Sequence, residues 1–377
     1  MKVEHLRFQN YRNLADGYIS PCEGVNIIYG KNAQGKTNII EALWLFCGGH
    51  SFRTQSYREL IQFDKPFAKL DCRFFGQERS QTASIAIEPN RRVIKLNGVE
   101  KKTSAALIER FCAVVFSPEN LSLVKRGPSE RRNFIDSAIC REKMRNALTL
   151  QKYNRLLKQR NALLKDLQRN DKLRETLSLW DEQLTTLGAE IVRQRLGFVK
   201  MITEKAAVYH KGISRGSEQL SLRYLSSFGA EESDDRMTLK RKFQEKCALN
   251  LQNEIFTGST IAGAHRDDIA ILINGKNTRF YASQGQQRSA VLSLKLAEAA
   301  VLRERMGENP VILFDDVLSE LDNDRQDYLL NELRGCQVFI TCCERSNKEQ
   351  LNEGKIFYVE NGIVEEITNH QSLTTNH

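Results

Sequence analysis

The 377-residue sequence predicts an α/β nucleotide-binding fold that is split along the chain, with a basic helical arm inserted between its halves. Three observations carry this expectation. Gly30-Lys31-Asn32-Ala33-Gln34-Gly35-Lys36-Thr37 fits the phosphate-cradling pattern G-x-x-x-x-G-K-[ST]. About 280 residues later, the apolar run Val311-Ile312-Leu313-Phe314 ends in two carboxylates, Asp315 and Asp316. Between them, residues 125–170 carry 13 Lys or Arg against 4 Asp or Glu.

The first element is the glycine loop. Gly30 and Gly35 let the backbone curl so that successive N–H groups, from Lys31 through Gln34, point at phosphate oxygens. Lys36 reaches the terminal phosphates, and the Thr37 hydroxyl is left for a Mg²⁺ ion. Val25–Tyr29 reads as a buried strand entering the loop. Ile39, Ile40, Leu43, Trp44 and Phe46 give the following segment helical spacing. A helix starting there aims its positive N-terminus at the phosphates.

Around the loop, residues 2–29 read as two strands about a polar turn at Asn10-Tyr11-Arg12-Asn13. Residues 67–99 switch to strand period, with Asn97-Gly98 as a hairpin turn. Ala113–Phe116 is one further short apolar strand. From Leu121 the pattern becomes helical. Leu150, Tyr153, Leu156, Leu157, Leu163, Leu164 and Leu167 share one helical face, and a second stripe runs from Leu184 to Val199. Paired antiparallel across a turn near Asn170-Asp171, they form a short coiled-coil-like arm. Lys152, Arg155, Lys158 and Arg160 on its outer face are candidates for contact with nucleic acid. A charged helix face is more often merely solvated, but here one sign dominates about three to one. Residues 211–250 are polar and indicate no chemistry. Ile269–Ile273 with Asn274-Gly275 reads as a strand and turn, and the polar tail after Thr368 as frayed. These boundaries give a head of residues 1–120 plus 251–377 and an arm of residues 121–250.

Composition narrows the setting. The formal net charge is +9, from 56 Lys and Arg against 47 Asp and Glu, which suggests an anionic partner. The nine cysteines include no C-x₂-C pair, so neither a disulfide framework nor a zinc site is indicated. Cys342 and Cys343 read as fillers of buried positions at a strand end. With no apolar leader and no run of 18 apolar residues, the chain is expected to be soluble, cytoplasmic and membrane-free.

The second half of the site follows from chemistry. A buried strand that delivers an acid at its C-terminal end is how P-loop proteins support Mg²⁺, the role expected of Asp315; Asp316 could orient or deprotonate the attacking water. Ser283-Gln284-Gly285-Gln286-Gln287-Arg288 opens a helical run reaching Met306, a second anion-binding helix N-terminus. One triphosphate does not need two such ends. Two chains packed head-to-tail do, each capping the nucleotide of the other.

These motifs resemble the ABC-type ATPases of the SMC/RecF class. Ser283–Arg288 is similar to the class's signature segment, and Phe314–Asp322 to its Walker B and D-loop. Phe116–Leu121, Gly127–Arg132 and Ala264–Asp268 match further blocks, in order from residue 8 to 343. The resemblance implies an ABC-type head with a short arm, ATP-dependent homodimerisation on DNA, and slow hydrolysis. It also implies a role in recombinational gap repair, with RecA loaded at single- and double-stranded gapped DNA together with RecO- and RecR-type partners. By motif, Gly30 to Thr37 hold ATP, Asp315 supports Mg²⁺, Asp316 takes the catalytic carboxylate position with Lys36, and Ser283, Gly285 and Gln286 face the partner's nucleotide. Arg12 and Asn13, with Asn10, match an amino-terminal nucleotide contact. Asp316 stands where transporters carry Glu, no switch His follows Thr341, Ala264 replaces a common proline, and Asn120 replaces an acid.

Three other readings fit less. A short SMC-like architectural DNA protein would need a longer arm than tens of residues. A small-molecule kinase leaves the Ser283 segment unused, and a transporter subunit has no use for the basic arm.

Overall fold

The computed structural model describes residues 1–48, 51–54, 56–343 and 354–367, so the tail after Thr368 lies outside the described residues. In chain order the principal elements are β1 (Lys2–Gln9), β2 (Gly17–Ile19), β3 (Val25–Tyr29), α1 (Lys36–Leu45), β4 (Ala68–Gly76), β5 (Arg79–Glu88), β6 (Arg91–Leu96), β7 (Val99–Lys101) and β8 (Ala113–Phe116). Then come α2 (Ser122–Lys125), α3 (Pro128–Glu142), α4 (Met144–Leu167), α5 (Arg174–Ile213), β9 (Leu220–Leu225), α6 (Arg236–Thr257), β10 (Asp268–Ile273), β11 (Lys276–Asn277), α7 (Thr278–Tyr281) and α8 (Gln284–Met306). The chain closes with β12 (Val311–Phe314), α9 (Asn323–Glu332), β13 (Val338–Cys342), β14 (Gly354–Glu360) and β15 (Ile363–Glu366).

The chain divides into two compact units, Met1–Asn120 with Glu298–His377, and Leu121–Ala297. The first division falls after Asn120. The second falls at 297, within α8, rather than at 250; β9 and β10 pair over their full length and hold residues 268–273 to the inserted unit.

The first unit contains two sheets. One has the order β15-β14-β3-β13-β12-β8, in which β14, β3, β13, β12 and β8 are parallel. Two of its strands, the inner β12 and the edge strand β8, read as unbroken apolar runs, and every residue of both is buried. The other sheet is an antiparallel meander, β2-β1-β4-β5-β6-β7, whose strands alternate buried and exposed positions, as in β4. Asn97 and Gly98 both have positive φ, at 50° and 77°, as the two-residue hairpin between β6 and β7 requires. α1 buries Ile39, Ile40 and Leu43 in a common core with Leu6, Phe74 and Phe111 of this unit. The Phe74 and Phe111 rings meet edge-on at 5.2 Å.

Residues 2–29 contain three strands rather than the two expected. Asn10 and Arg12 turn with φ of 49° and 53°, and the chain then pairs Gly17–Ile19 back onto β1 before β3 begins.

In the second unit, α4 and α5 form the expected helical pair, and α6 completes it as a third member. α6 begins in the stretch of residues 211–250, read from the sequence as polar and indicating no chemistry. Its Leu239, Phe243 and Cys247, four residues apart, are buried against Tyr153 and Leu184. The fit is close: a Cβ on Gly188 of α5 would lie 2.6 Å from the Phe243 ring. Near the far end, Leu164, Leu167 and Leu177 make a separate small cluster. Among the described residues no helix is long and apolar enough to cross a membrane.

Candidate nucleotide site

β3 ends and α1 begins around the glycine loop, and the parallel pairing places the end of β13 beside β3 and the end of β12 beside β13. Ligand sites of such sheets lie at the carboxyl ends of the strands, where the loop and Asp315 meet. The loop needs its glycines. Gly30 and Gly35 have φ of 156° and 117°; a Cβ on Gly30 would lie 2.2 Å from the Val359 carbonyl oxygen, and one on Gly35 would lie 2.6 Å from Leu14.

Lys36 is only 4% exposed, and its Nζ donates to the carbonyls of Gly30 at 2.7 Å and Lys31 at 3.0 Å. These partners are backbone carbonyls, not carboxylates, so an anion arriving at the loop would meet no competing ion pair there. The Thr37 hydroxyl donates to Asp315 Oδ1 at 2.7 Å, and the Thr341 hydroxyl reaches the same oxygen at 3.0 Å. Burial pushes the Asp315 carboxyl above its usual range, against these two hydrogen bonds and with the nearby Asp316 and Glu119 charges adding to the rise. A divalent cation placed there would offset that repulsion. Asp316 follows with φ of 53°, a strained conformation for a non-glycine residue. Its Oδ1 is buried without a hydrogen-bond partner, as suits a group that awaits water or substrate. The glycine cradle, the neutral-bound Lys36, the Thr37–Asp315 oxygen pair and the orphan Asp316 oxygen together fit Mg²⁺ and a nucleoside triphosphate.

Asn13 belongs to the loop's support, donating from its amide to the Ala33 carbonyl at 3.0 Å and accepting from Asn38 at 2.6 Å. Arg12 is committed elsewhere. Its Nε and Nη2 bind the Glu41 carboxylate at 2.8 and 2.7 Å, and Nη1 binds the Glu59 carbonyl at 2.8 Å. The expected nucleotide contact is therefore a brace under α1 in this conformation. Glu41 is fully buried; desolvation raises its pKa, but hydrogen bonds from Arg12, Ser51 and Tyr11 outweigh that and hold it below the usual carboxylate range.

Sequence reasoning missed Glu41, although an acid inside the apolar run of α1 was a signal. It also missed the β14–β15 hairpin. Asn361 N–H donates to Gln34 Oε1, and Gly362 comes so close that a Cβ would lie 2.0 Å from the Asn13 carbonyl oxygen. Cys343 is exposed rather than buried, and Cys342 is half-buried; the Cys343 thiol meets Asn32 Oδ1 at 2.9 Å and lies 3.7 Å from Lys36 Nζ. Asn120 accepts the Ser117 N–H at 2.9 Å, a turn-forming role that needs no acid.

In the second unit, Ser283 and Gln286 form a reciprocal cap at the start of α8. Gln286 N–H donates to Ser283 Oγ at 3.2 Å, and Ser283 N–H donates to Gln286 Oε1 at 2.8 Å. Gly285 is half-exposed beside them, and a Cβ there would meet only Ser283 Oγ at 4.0 Å.

On α4, Lys152, Arg155 and Lys158 are exposed. Arg160 is not a surface cation. Its guanidinium is fully buried, bound to Asp181 at 2.6 Å, the Thr260 hydroxyl at 2.7 Å and Glu254 at 2.7 Å. It ties α4 to α5 and α6, and that removes it from the candidate nucleic-acid face.

The blocks at residues 127–132 and 264–268 are structural partners. Arg131 grips Asp268 through two bonds of 2.8 and 2.9 Å, and Arg132 donates to the Asp267 carbonyl at 2.7 Å. The buried Asp267 side chain accepts from Tyr224 at 2.6 Å and from the Ser227 N–H and hydroxyl, each at 2.7 Å.

Comparison with known proteins agrees with this architecture. The RecF/RecN/SMC N terminal domain family matches residues 2–365. The DNA replication and repair protein RecF of Acetivibrio thermocellus is 37% identical over 360 residues, 95% of this chain and 98% of its own. That of Bacillus mycoides is 39% identical over 369 residues, 97% of this chain and 98% of its own. A solved structure of the recombination mediator protein RecF with ATP, in the RecFOR pathway, superposes with a TM-score of 0.91 at 36% identity, covering 97% of this chain and 98% of that one. The Smc head domain of Pyrococcus furiosus, bound to the C-terminal domain of ScpA, has a TM-score of 0.56 at 15% identity and shares the fold alone. Fold and site define a P-loop head of the SMC ATPase class. Within that class, the chain belongs to the RecF family.

Proposed function

We propose that this protein is an ATP-dependent DNA-binding switch of DNA replication and recombinational repair. The observation that carries the reading is the Thr37–Asp315 hydrogen bond at 2.7 Å, which joins the phosphate loop to the acid-bearing strand in one nucleotide site. Backbone N–H groups from Lys31 to Gln34 and the Lys36 ammonium would hold the phosphates, and Thr37 with Asp315 would hold Mg²⁺. Mg²⁺–ATP supplies the phosphoanhydride whose cleavage makes the switch reversible. Asp316, through its unpartnered oxygen, orients the attacking water and accepts its proton. Its short side chain holds water less firmly than Glu would, which suits slow hydrolysis.

In this reading Ser283, Gly285 and Gln286 of one copy cap the nucleotide held by another. ATP thus favours a homodimer closed on DNA, and hydrolysis releases it. The exposed Lys152, Arg155 and Lys158 would meet the phosphate backbone. By relation to a mediator of the RecFOR pathway, the switch would act in the cytoplasm at gapped DNA, with RecO- and RecR-type partners, to help load RecA. A purely architectural role in the manner of SMC proteins is disfavoured by arm length: the 24 residues of α4 span only about 36 Å.

Sedimentation velocity with and without ATP and gapped duplex DNA tests the reading. It predicts a monomer without ATP and a DNA-bound dimer with it; a sedimentation coefficient insensitive to ATP would refute it.

A further inference from the structure

Behind the Ser283–Gln286 cap, a chain of hydrogen bonds continues through Glu218 and His210, residues to which none of the roles above is assigned. Gln286 sits at its centre. Its Oε1 accepts the Ser283 N–H at 2.8 Å, while its Nε2 donates to Glu218 Oε1 at 2.8 Å. The other oxygen of Glu218 lies 2.9 Å from His210 Nε2, and His210 Nδ1 lies 3.1 Å from Ser293 Oγ, two turns further along α8. His210 and Ser293 are fully buried, and His210 stands in the last turn of α5. The backbone beside Glu218 is also fixed: Gln219 N–H donates to Asn274 Oδ1 at 2.8 Å, and Asn274 N–H returns to the Gln219 carbonyl at 2.9 Å.

A carboxylate can only accept, so the His210 proton facing it is on Nε2 and Glu218 serves two donors at once. The amide torsion of a glutamine is soft. Without Glu218, the Gln286 amide can turn and release Ser283. Burial keeps the His210 pKa low despite Glu218, so a neutral ring holds the carboxylate in place at neutral pH.

We infer that Glu218 and His210 are positioning residues for ATP-driven pairing, acting through Gln286 to fix how Ser283 is presented to a partner's nucleotide. The inference rests on the two-copy reading above, and a mutant cycle separates the two. ATP affinity and ATP-driven dimerisation are measured by fluorescent-nucleotide titration and sedimentation for Glu218→Ala, Gln286→Ala, the double variant, and Ser283→Arg.

Glu218→Ala is expected to weaken dimerisation about tenfold, with monomer ATP affinity within about twofold of the parent. The double variant should be no worse than Gln286→Ala alone, and Glu218→Gln, which keeps an acceptor for Gln286, should restore most of the loss. Glu218→Asp, shorter by one methylene, repeats the cycle in a milder form if the alanine variant loses its cooperative melt. Additive effects, or a Glu218→Ala protein that dimerises like the parent while Ser283→Arg does not, would overturn the positioning role. A Ser283→Arg protein that dimerises normally would instead overturn the two-copy reading.

Discussion

Thr37 donates a 2.7 Å hydrogen bond to Asp315 although 278 residues separate them in the chain. One oxygen comes from the first turn of the helix after the glycine loop, the other from the end of a strand two places away in the same parallel sheet. In the proposed site these two oxygens and the buried Lys36 would hold metal and phosphate.

Removing the acid should separate metal from phosphate binding. Asp315→Ala leaves Lys36 and the glycine loop intact, so ATP affinity in EDTA should change by less than about threefold. The gain in affinity that Mg²⁺ brings should fall about tenfold or more, an outcome read by fluorescent-ATP titration. The deletion also leaves the Thr37 and Thr341 hydroxyls without their shared acceptor, at a cost in stability of about 1–3 kcal/mol.

Asp316→Asn tests the water-directing role with little disturbance of shape. The backbone there has φ of 53°, which asparagine tolerates as well as aspartate does. Hydrolysis should slow about 10²-fold or more, and the ATP-bound dimer should persist longer on gel filtration. Faster dissociation would contradict the assignment.

The basic arm separates into surface and core. Charge reversal of Lys152, Arg155 and Lys158 should weaken DNA binding and reduce the slope of log K against log salt by about 0.9 for each phosphate no longer neutralised. Arg160→Met should act differently, leaving Asp181 and Glu254 without their buried partner and destabilising the protein by about 3–5 kcal/mol in urea.

His265 makes stability depend on pH. Its Nε2 faces the Thr260 carbonyl at 3.0 Å and its Nδ1 the Tyr153 hydroxyl at 2.9 Å, and burial, with help from neighbouring Arg266, Arg132 and Arg160, lowers its pKa from 6.5 to about 4. The unfolded chain therefore takes up this proton first. The contribution is complete above pH 6.5 and is lost as pH falls from 6.5 towards 4, by roughly 3 kcal/mol in all. Urea midpoints measured across that window should fall for the parent, and less steeply for His265→Gln.

What could be read from sequence was what local pattern encodes. The glycine loop, the strand before it and the helix after it are contiguous, and their residue types have few other uses. The Asn97-Gly98 turn and the apolar strands ending at Phe116 and Phe314 were legible for the same reason. α6 was not, because its buried positions Leu239, Phe243 and Cys247 sit among charged residues that dilute the stripe. Arg160 was misassigned because nothing local separates a lysine-like surface position from one whose countercharges, Asp181 and Glu254, arrive from two other helices. Arg12 and Glu41 were hidden likewise: a buried ion pair between residues 29 apart has no periodic signature. The hairpin that closes on the loop through Asn361 and Gly362 depends on a close approach visible only in three dimensions.

The central claim is that each nucleotide site is shared between two copies, with the loop of one facing the Ser283 segment of the other. Mixing two inactive variants tests it most directly. Lys36→Ala alone lacks a working loop, and Ser283→Arg alone lacks a working cap. In a mixed pair, one site combines both defects and the other combines the intact loop with the intact cap. Steady-state ATP hydrolysis with gapped DNA should therefore reappear on mixing, at up to about half the parental rate per mixed pair. A mixture no more active than the sum of its parts would contradict the shared site.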